Sequence, residues 1–508
     1  MKLPLYLSLL VLATTSVHAE DHPNIIVIYT DDQGYGDAAN LNPDSKFPTP
    51  ALDRLADEGM TFTDAHCSDT VCTPSRYGLL TGRYAWRTRL KSGVFGAETP
   101  CLIADGRMTL PSLLRDNGYD TAMIGKWHLG MEFPGDRNSR DWSQPVTDMP
   151  LDKGFDYFFG IPASLNYGIL AWFEGRHAAV PPTLYTQKKP NDLAISDYRM
   201  MPPYESGLTD LSLPNATGNF KGPIEVAPDF VDSECLTRFT DETLKWLNNR
   251  DSEKPFFVYL PYTSPHKPVI PIEKFRGQSE AGAYGDFMIE TDWHIGRILD
   301  WLDEQEIADN TLIVFSSDNG PETTWPERLK RYHHASNGIY REGKRSIYEG
   351  GHRVPFFVRW PAKVAAGSVW NGPICQTDLL ATFAQLVGAE LPNNAGEDSV
   401  SFLDVLESGK AEQKRLPIIH HSIKGRFAIR EGNLKLVMEG KSKKEERELY
   451  NLAKDPSEKN DIIEGEDVDV AELVDQLTAI VKNGRTTPGE AVPNDTGWWN
   501  NLVWMEPW

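Results

Sequence analysis

The residues with the clearest chemical purpose lie in Val71-Cys72-Thr73-Pro74-Ser75-Arg76. A proline suits the first helical position because the first N–H groups of a helix have no partner. Cys72 is therefore expected just outside a helix N-terminus, where free N–H groups and the helix dipole favour an anion. Arg76, one turn on, can hold a carboxylate, phosphate or sulfate oxygen. A bare thiolate nucleophile fits poorly: nearby acids would raise the thiol pKa. Cysteine phosphatases also place an arginine six positions after the cysteine, where this chain has Gly78. Four further clusters end apolar runs: Asp31-Asp32, Lys126 with His128, His266, and Asp318-Asn319. Asp31, Asp32, Asp318 and the side-chain oxygen of Asn319 form a hard, all-oxygen set suited to Ca²⁺ or Mg²⁺ rather than zinc. Such a cation, with Arg76, Lys126 and Lys344, would neutralise a tetrahedral anion. His128 and His266 are the candidates for proton transfer.

These groups need a sheet to present them. Asn24-Ile-Ile-Val-Ile-Tyr29 is a β-branched run typical of a strand buried on both faces. Similar runs occur at 119–124, 256–260, 310–317 and 354–360. Helices are expected at 49–59, from Pro74, and at 108–118, 230–249, 284–304 and 378–387, with a shorter one near Phe402. Strands alternating with helices predict an α/β fold, a large mixed and mostly parallel sheet flanked by helices. Ligand groups in such sheets gather at the carboxyl ends of the strands. From about Leu416 the pattern turns to short strands and one helix near 470–482. The expected division is a catalytic domain over 20–412 and a small α+β subdomain with an antiparallel sheet over 413–508. Residues 131–225, rich in Pro, Gly and Asn, read as specificity loops with short elements. Trp325, Arg331, His333 and His334 form a candidate substrate-side cluster. Trp498, Trp499, Trp504 and Trp508 are expected to pack onto the body, with a carbohydrate platform as the alternative.

The chain has 508 residues and a net charge of −22, which argues against nucleic acid or anionic membranes as partners. Residues 1–19 read as a secretory signal, and no later segment is apolar enough to span a membrane. The product is expected to be exported, with periplasm, secretion and lysosome left open. Of five cysteines, Cys67, Cys101, Cys235 and Cys375 would remain if Cys72 is modified, allowing two disulfides without requiring them. Two glycosylation sequons, at Asn215 and Asn494, read as chance occurrences.

The order Asp-Asp-x-Gly-Tyr-Gly-Asp, Cys-x-Pro-Ser-Arg with Leu-Thr-Gly-Arg83, Gly-Lys-x-His, Ser-Pro-His, Ser-Asp-Asn-Gly and Gly-Lys-x₄-Glu-Gly-Gly resembles the type I sulfatases of the alkaline phosphatase superfamily. The Leu-Tyr-Asn-Leu452 and Asp-Pro-Ser-Glu458 segments look like that family's C-terminal subdomain. The resemblance implies an alkaline phosphatase-like fold and a Cys72 converted to formylglycine (3-oxoalanine) by a formylglycine-generating or anaerobic sulfatase-maturing enzyme. It implies one Ca²⁺ held by Asp31, Asp32, Asp318, Asn319 and residue 72. In the family mechanism the hydrated aldehyde attacks sulfur, expels the substrate alcohol and then releases sulfate. Arg76 and Lys126 would stabilise the hydrate and the anion, and His128 would promote sulfate elimination. His266 and Lys344 would contact the sulfate, one of them protonating the leaving oxygen. A sulfated carbohydrate, either polysaccharide or glycosaminoglycan fragment, is the expected substrate. The alternatives are a phosphomonoester, phosphodiester or phosphonate hydrolase of the same superfamily, or a silent glycan-binding protein.

Overall fold

The computed structural model describes residues 22–137, 139–186, 209–210, 224–442, 444–465 and 469–508. The expected signal over 1–19 and the sequon at Asn215 lie outside the described residues. The main sheet has ten strands: β1 (Asn24–Asp31), β2 (Met60–Phe62), β3 (Asp120–Lys126), β4 (Tyr157–Ile161), β5 (Phe173–Glu174), β6 (His177–Ala178), β7 (Phe256–Pro265), β8 (Thr311–Ser317), β9 (Phe356–Arg359) and β10 (Ser368–Trp370). Their order is β10-β2-β9-β8-β1-β7-β3-β4-β5-β6. The central five, β8-β1-β7-β3-β4, run parallel, and β9 pairs antiparallel with β8. Ile25 to Tyr29 are fully buried, as a strand covered on both faces requires.

The helices that cover the sheet are α1 (Pro50–Asp57), α2 (Cys72–Thr81), α3 (Leu110–Asp116), α4 (Cys235–Asn249), α5 (Gly282–Glu304), α6 (Trp325–Tyr332), α7 (Leu379–Leu386) and α8 (Leu403–Ser408). All but α6 pack in two groups, α1, α4 and α5 in one, and α2, α3, α7 and α8 in the other. Because β1, β3, β7 and β8 are parallel neighbours, Asp31, Lys126, Pro265 and Ser317 all arrive at one edge.

Several boundaries differ from the sequence reading. Helix α2 begins at Cys72, with Val71 as its extended cap, so Cys72 lies inside the first turn and Pro74 is the third helical residue. No hydrogen bond is lost, because the first to reach back is Ser75 N–H to the Val71 carbonyl, at 3.3 Å. Helix α4 starts at Cys235, after a 3₁₀ turn over Asp232–Glu234. Strand β7 runs on to Pro265 because β1 continues beside it, pairing Asp31 with Pro265 across a bulge. Within 131–186, one of the expected short elements, β4, joins the main sheet through β3.

Four antiparallel strands, β11 (Ile418–His421), β12 (Phe427–Glu431), β13 (Leu434–Val437) and β14 (Glu448–Asn451), form a second sheet, and α9 (Val470–Asn483) accompanies it. Its core joins Phe427, Ile429, Leu436, Leu473 and Leu477 to Tyr84 and Trp86 of the segment after α2. Trp499 packs in that core, with Lys91 Nζ 3.8 Å from its ring centre; Trp498 and Trp504 pack against it, and Trp508 is half exposed. The expectation of tail packing is met for Trp498, Trp499 and Trp504. No disulfide joins the five cysteines, all of which are buried.

The seam between the two sheets is charged. Arg430 and Arg353 both grip Asp64, Arg430 with NH1–Oδ1 at 2.7 Å and NH2–Oδ2 at 2.6 Å. Lys435 Nζ lies 3.0 Å from both Glu349 Oε1 and His352 Nε2 and 2.8 Å from Glu458 Oε1. His66, His352 and His420 cluster there, fully buried, the last two stacked at 3.8 Å. His66, Glu349, His352 and His420 present metal-type ligand atoms within 4.8 Å of one another, but the Lys435 ammonium already stands among them.

Candidate active site

At the end of β1 the chain leaves the strand through Asp32, whose φ is +71°. Asp31 and Asp32 therefore face one pocket instead of opposite sheet faces. Gly34 follows because its backbone is pressed against residue 336: a Cβ there would stand 2.0 Å from the Ser336 carbonyl oxygen. Asp32 N–H donates to Asp318 Oδ1 at 3.1 Å, and Asn319 Nδ2 donates to Asp32 Oδ1 at 2.8 Å.

Cations complete the pocket. Lys126 Nζ donates to Asp31 Oδ2 at 2.5 Å. Arg76 donates through Nε and NH2 to Asp318 Oδ2, at 3.1 and 2.8 Å, and through NH1 to the Lys126 carbonyl at 3.1 Å. Lys344 Nζ lies 2.5 Å from Asp32 Oδ1 and 3.6 Å from Cys72 Sγ, which is itself 3.4 Å from Asp31 Oδ1. Three carboxylates thus balance three cations around one thiol. Every group in this set is at most 6% exposed.

The titration of these groups follows from their surroundings. Burial opposes ionisation of Asp31, but Lys126, Arg76 and Lys344 together outweigh it and hold the carboxyl below its usual range. For Asp32 burial prevails over Lys344 and His266, and the pKa rises. Burial, reinforced by Asp318, pushes the Cys72 thiol far up, so a bare thiolate is not the resting form. Burial, with Lys126, Arg76 and His266 adding to it, drives the His128 pKa well below 6.5. Burial likewise brings His266 down to about 3, against the pull of Asp32.

Both rings have a defined tautomer, because a carbonyl can only accept. His128 Nε2 donates to the Phe95 carbonyl at 3.0 Å, leaving buried Nδ1 with a lone pair and no partner. His266 Nδ1 donates to the Lys267 carbonyl at 2.7 Å, leaving Nε2 as an acceptor 3.8 Å from Asp32 Oδ2.

A cation fits this pocket on two observations. Asp32 Oδ2 and Asn319 Oδ1 are buried and lack any hydrogen-bond partner. Asp31, Asp32, Cys72 and His266 offer ligand atoms within 4.8 Å of one another. Oxygen donors of this kind suit a hard divalent ion.

The structure thus brings Cys72, Arg76, Lys126, His128, His266, Lys344, Asp31, Asp32, Asp318 and Asn319 together. It does not unite the suggested substrate-side cluster. Only the Trp325 ring stays near, 2.8 Å from where a Cβ on Gly343 would stand. Arg331 is exposed at the end of α6, paired with Glu327 at 3.4 Å, and His333 is an exposed left-handed cap. His334 is fully buried, pinning Asp37 Oδ1 at 2.7 Å and packing on Phe47. Two neighbours of the site had no sequence signal. Glu322 contacts Lys344 at 4.0 Å. His421 bonds Asp69 at 2.7 Å, three residues before Cys72. Only the fold brings His421 from the second sheet to that loop.

A mixed, mostly parallel α/β sheet that gathers a helix-start cysteine, carboxylates and fixed cations at one edge is the arrangement of a hydrolase of anionic esters. The family model described as Sulfatase matches residues 23–389, and a second, N-sulphoglucosamine sulphohydrolase, C-terminal, matches 338–486. An N-acetylgalactosamine-6-O-sulfatase of Bacteroides thetaiotaomicron is 33% identical over 491 residues, covering 90% of this chain and 93% of its own. Human steryl-sulfatase is 33% identical, with 83% and 75% covered. A solved Bacteroides thetaiotaomicron structure from work on glycosaminoglycan metabolism superposes with a TM-score of 0.77 at 31% identity, over 91% of this chain and 99% of that one. The chain belongs to the sulfatase family and is a sulfuric ester hydrolase of alkaline phosphatase-like fold. Among the described residues no helix is long and apolar enough to cross a membrane.

Proposed function

We propose that the protein removes sulfate from a sulfated carbohydrate, using a Cys72 matured to formylglycine beside one Ca²⁺. The observation that carries this reading is the Cys72 thiol itself, protonated by burial and enclosed by Asp31, Lys344 and the start of α2. Such a thiol is a poor nucleophile but well placed for conversion. The relatives named for N-acetylgalactosamine-6-sulfate support a carbohydrate substrate.

Asp31, Asp32, Asp318 and Asn319 would hold the ion with residue 72. When present, the ion supplies fixed positive charge and the aldehyde, as its hydrate, supplies a hydroxyl nucleophile. Arg76 and Lys126 hold the carboxylates in register and face the developing anion. Lys344 and His266 contact the sulfate, one of them protonating the leaving oxygen. His128 Nδ1, with its free lone pair, is the base that takes a proton when sulfate departs. We place the division between catalytic domain and C-terminal subdomain at 412/413, and infer export with maturation by a formylglycine-forming enzyme.

The test compares matched aryl sulfate and aryl phosphate turnover by the matured protein and by Cys72→Ala. Sulfate release should vanish in the variant, and mass spectrometry should find an aldehyde at residue 72. Undiminished release by Cys72→Ala, or a phosphate preference beyond about tenfold, overturns the reading.

A further inference from the structure

Beside the Cys72 pocket lies a charged group that the chemistry above does not use. Glu322, 5% exposed, stands three residues past Asn319. Arg345 grips it with both terminal nitrogens, NH1–Oε1 at 2.5 Å and NH2–Oε2 at 3.2 Å. Lys267 Nζ lies 3.1 Å from Oε2. Burial opposes the charge on Glu322, but Lys344, Arg345 and Lys267 hold its carboxyl far below the usual range. Lys344 is already committed to Asp32, so one carboxylate faces two cations. The lip carries a surplus positive charge.

The lip also opens outward. Side-chain exposure rises from 4% at Lys344 through 12% at Lys267 to 34% at Arg345. Arg345 directly follows Lys344 in the chain, and Tyr167 is half-buried. The Tyr167 ring lies 5.5 Å from that of His128. Tyr167 and Arg345 therefore both stand at the mouth. Arg345 keeps a φ of +80°, a conformation natural to glycine, with its N–H donating to the Thr70 carbonyl at 2.9 Å. A long side chain held there works against local backbone preference.

We propose that Arg345 and Lys267, fixed by Glu322, read a second acidic group of the substrate, a sulfate ester or a carboxylate next to the scissile sulfate. The scissile group already has Arg76, Lys126 and Lys344, so it does not account for two more cations. A body of net charge −22 repels polyanions, and a local positive lip is what lets one dock. The substrate class is then a saccharide with two or more acidic groups. This rests on the sulfatase reading of the same site.

The experiment measures kcat/KM for three matched saccharides: monosulfated, disulfated, and monosulfated with a neighbouring uronate. It uses the wild type, Arg345→Gly and Arg345→Lys. Glycine suits the backbone at 345, so its removal of the guanidinium brings no strain. The wild type should prefer a doubly acidic substrate at low salt. Arg345→Gly should lower that preference about tenfold, mainly through KM, and Arg345→Lys should restore part of it. Which doubly acidic arm responds identifies the sulfate or the carboxylate as the group read. A wild type without preference, or a ratio unmoved by Arg345→Gly, overturns the proposal while aryl sulfate turnover keeps the sulfatase reading intact. Sulfate release from none of the three, with aryl sulfate also inert, brings down both.

Discussion

Acid should open the seam between the two sheets, and replacing His420 with Phe should blunt that sensitivity. His420 is 1% exposed, neither ring nitrogen has a hydrogen-bond partner, and its ring stacks on His352 at an interplanar angle of 12°. Burial lowers its pKa well below 6.5, and His352, His66 and Lys435 lower it further against the pull of Glu349. Arg353, Arg430, Asp64 and Glu458 complete the charged surroundings. A group with a depressed folded pKa binds fewer protons when folded. Its contribution is therefore present above the unfolded pKa and is lost as pH falls below it, down to the folded value. Between about pH 8 and about pH 5 one such histidine costs about 2 kcal/mol, at about 1.36 kcal/mol per pH unit below an unfolded pKa near 6.5. His66 and His352 are displaced in the same direction. Glu458, raised to about 7 chiefly by burial, works the other way and offsets roughly one of the three. Phe keeps a flat ring against His352 and abandons no hydrogen bond, while any cost of its extra volume is independent of pH. Denaturant unfolding at the two pH values, for wild type and His420→Phe, isolates the effect as a double difference. The wild type should lose about 2 kcal/mol more than the variant on acidification. Equal losses within about 0.5 kcal/mol would refute the reasoning.

Two further outcomes follow from the geometry. Adding Ca²⁺ should raise the melting temperature of the wild type, because Asp32 Oδ2 and Asn319 Oδ1 are buried without partners, and Asp32→Asn should abolish that shift. A chelator-insensitive melt with no response to Ca²⁺ would count against the metal set. Arg430→Met should destabilise by about 3–5 kcal/mol, since it strips one of two guanidinium partners from buried Asp64. Urea unfolding with a change below about 1 kcal/mol would show that Arg353 suffices alone.

The strands and the site were legible in different ways. Ile25 to Tyr29 announces a buried strand because β-branched apolar residues in an unbroken run suit no half-exposed element. The motifs that end such runs told which residues carry chemistry, because parallel sheets collect ligands where their strands finish. Asp31, Lys126, His266 and Asp318 were proposed on that basis, whereas Cys72, Arg76 and Lys344 were proposed from motifs outside the strands. Local preference also marked α1 and α5 to within two residues. What it could not mark was distance in space. Asp31 and Asp318 meet only because β1 pairs with β8, and Lys126 reaches Asp31 only because β7 lies between β1 and β3. His334 looked like a substrate ligand from its neighbours, yet the fold buries it on Asp37, 297 positions away. Glu322 and His421 had no local pattern to betray them. Charges separated by hundreds of residues find one another through strand order and register, which no stretch of chain encodes alone. The sequence by itself therefore determined the candidate groups and most of their elements, through local propensity and short-range spacing. Only the tertiary structure decided which of those groups share a pocket, because their pairing is paid in long-range contacts.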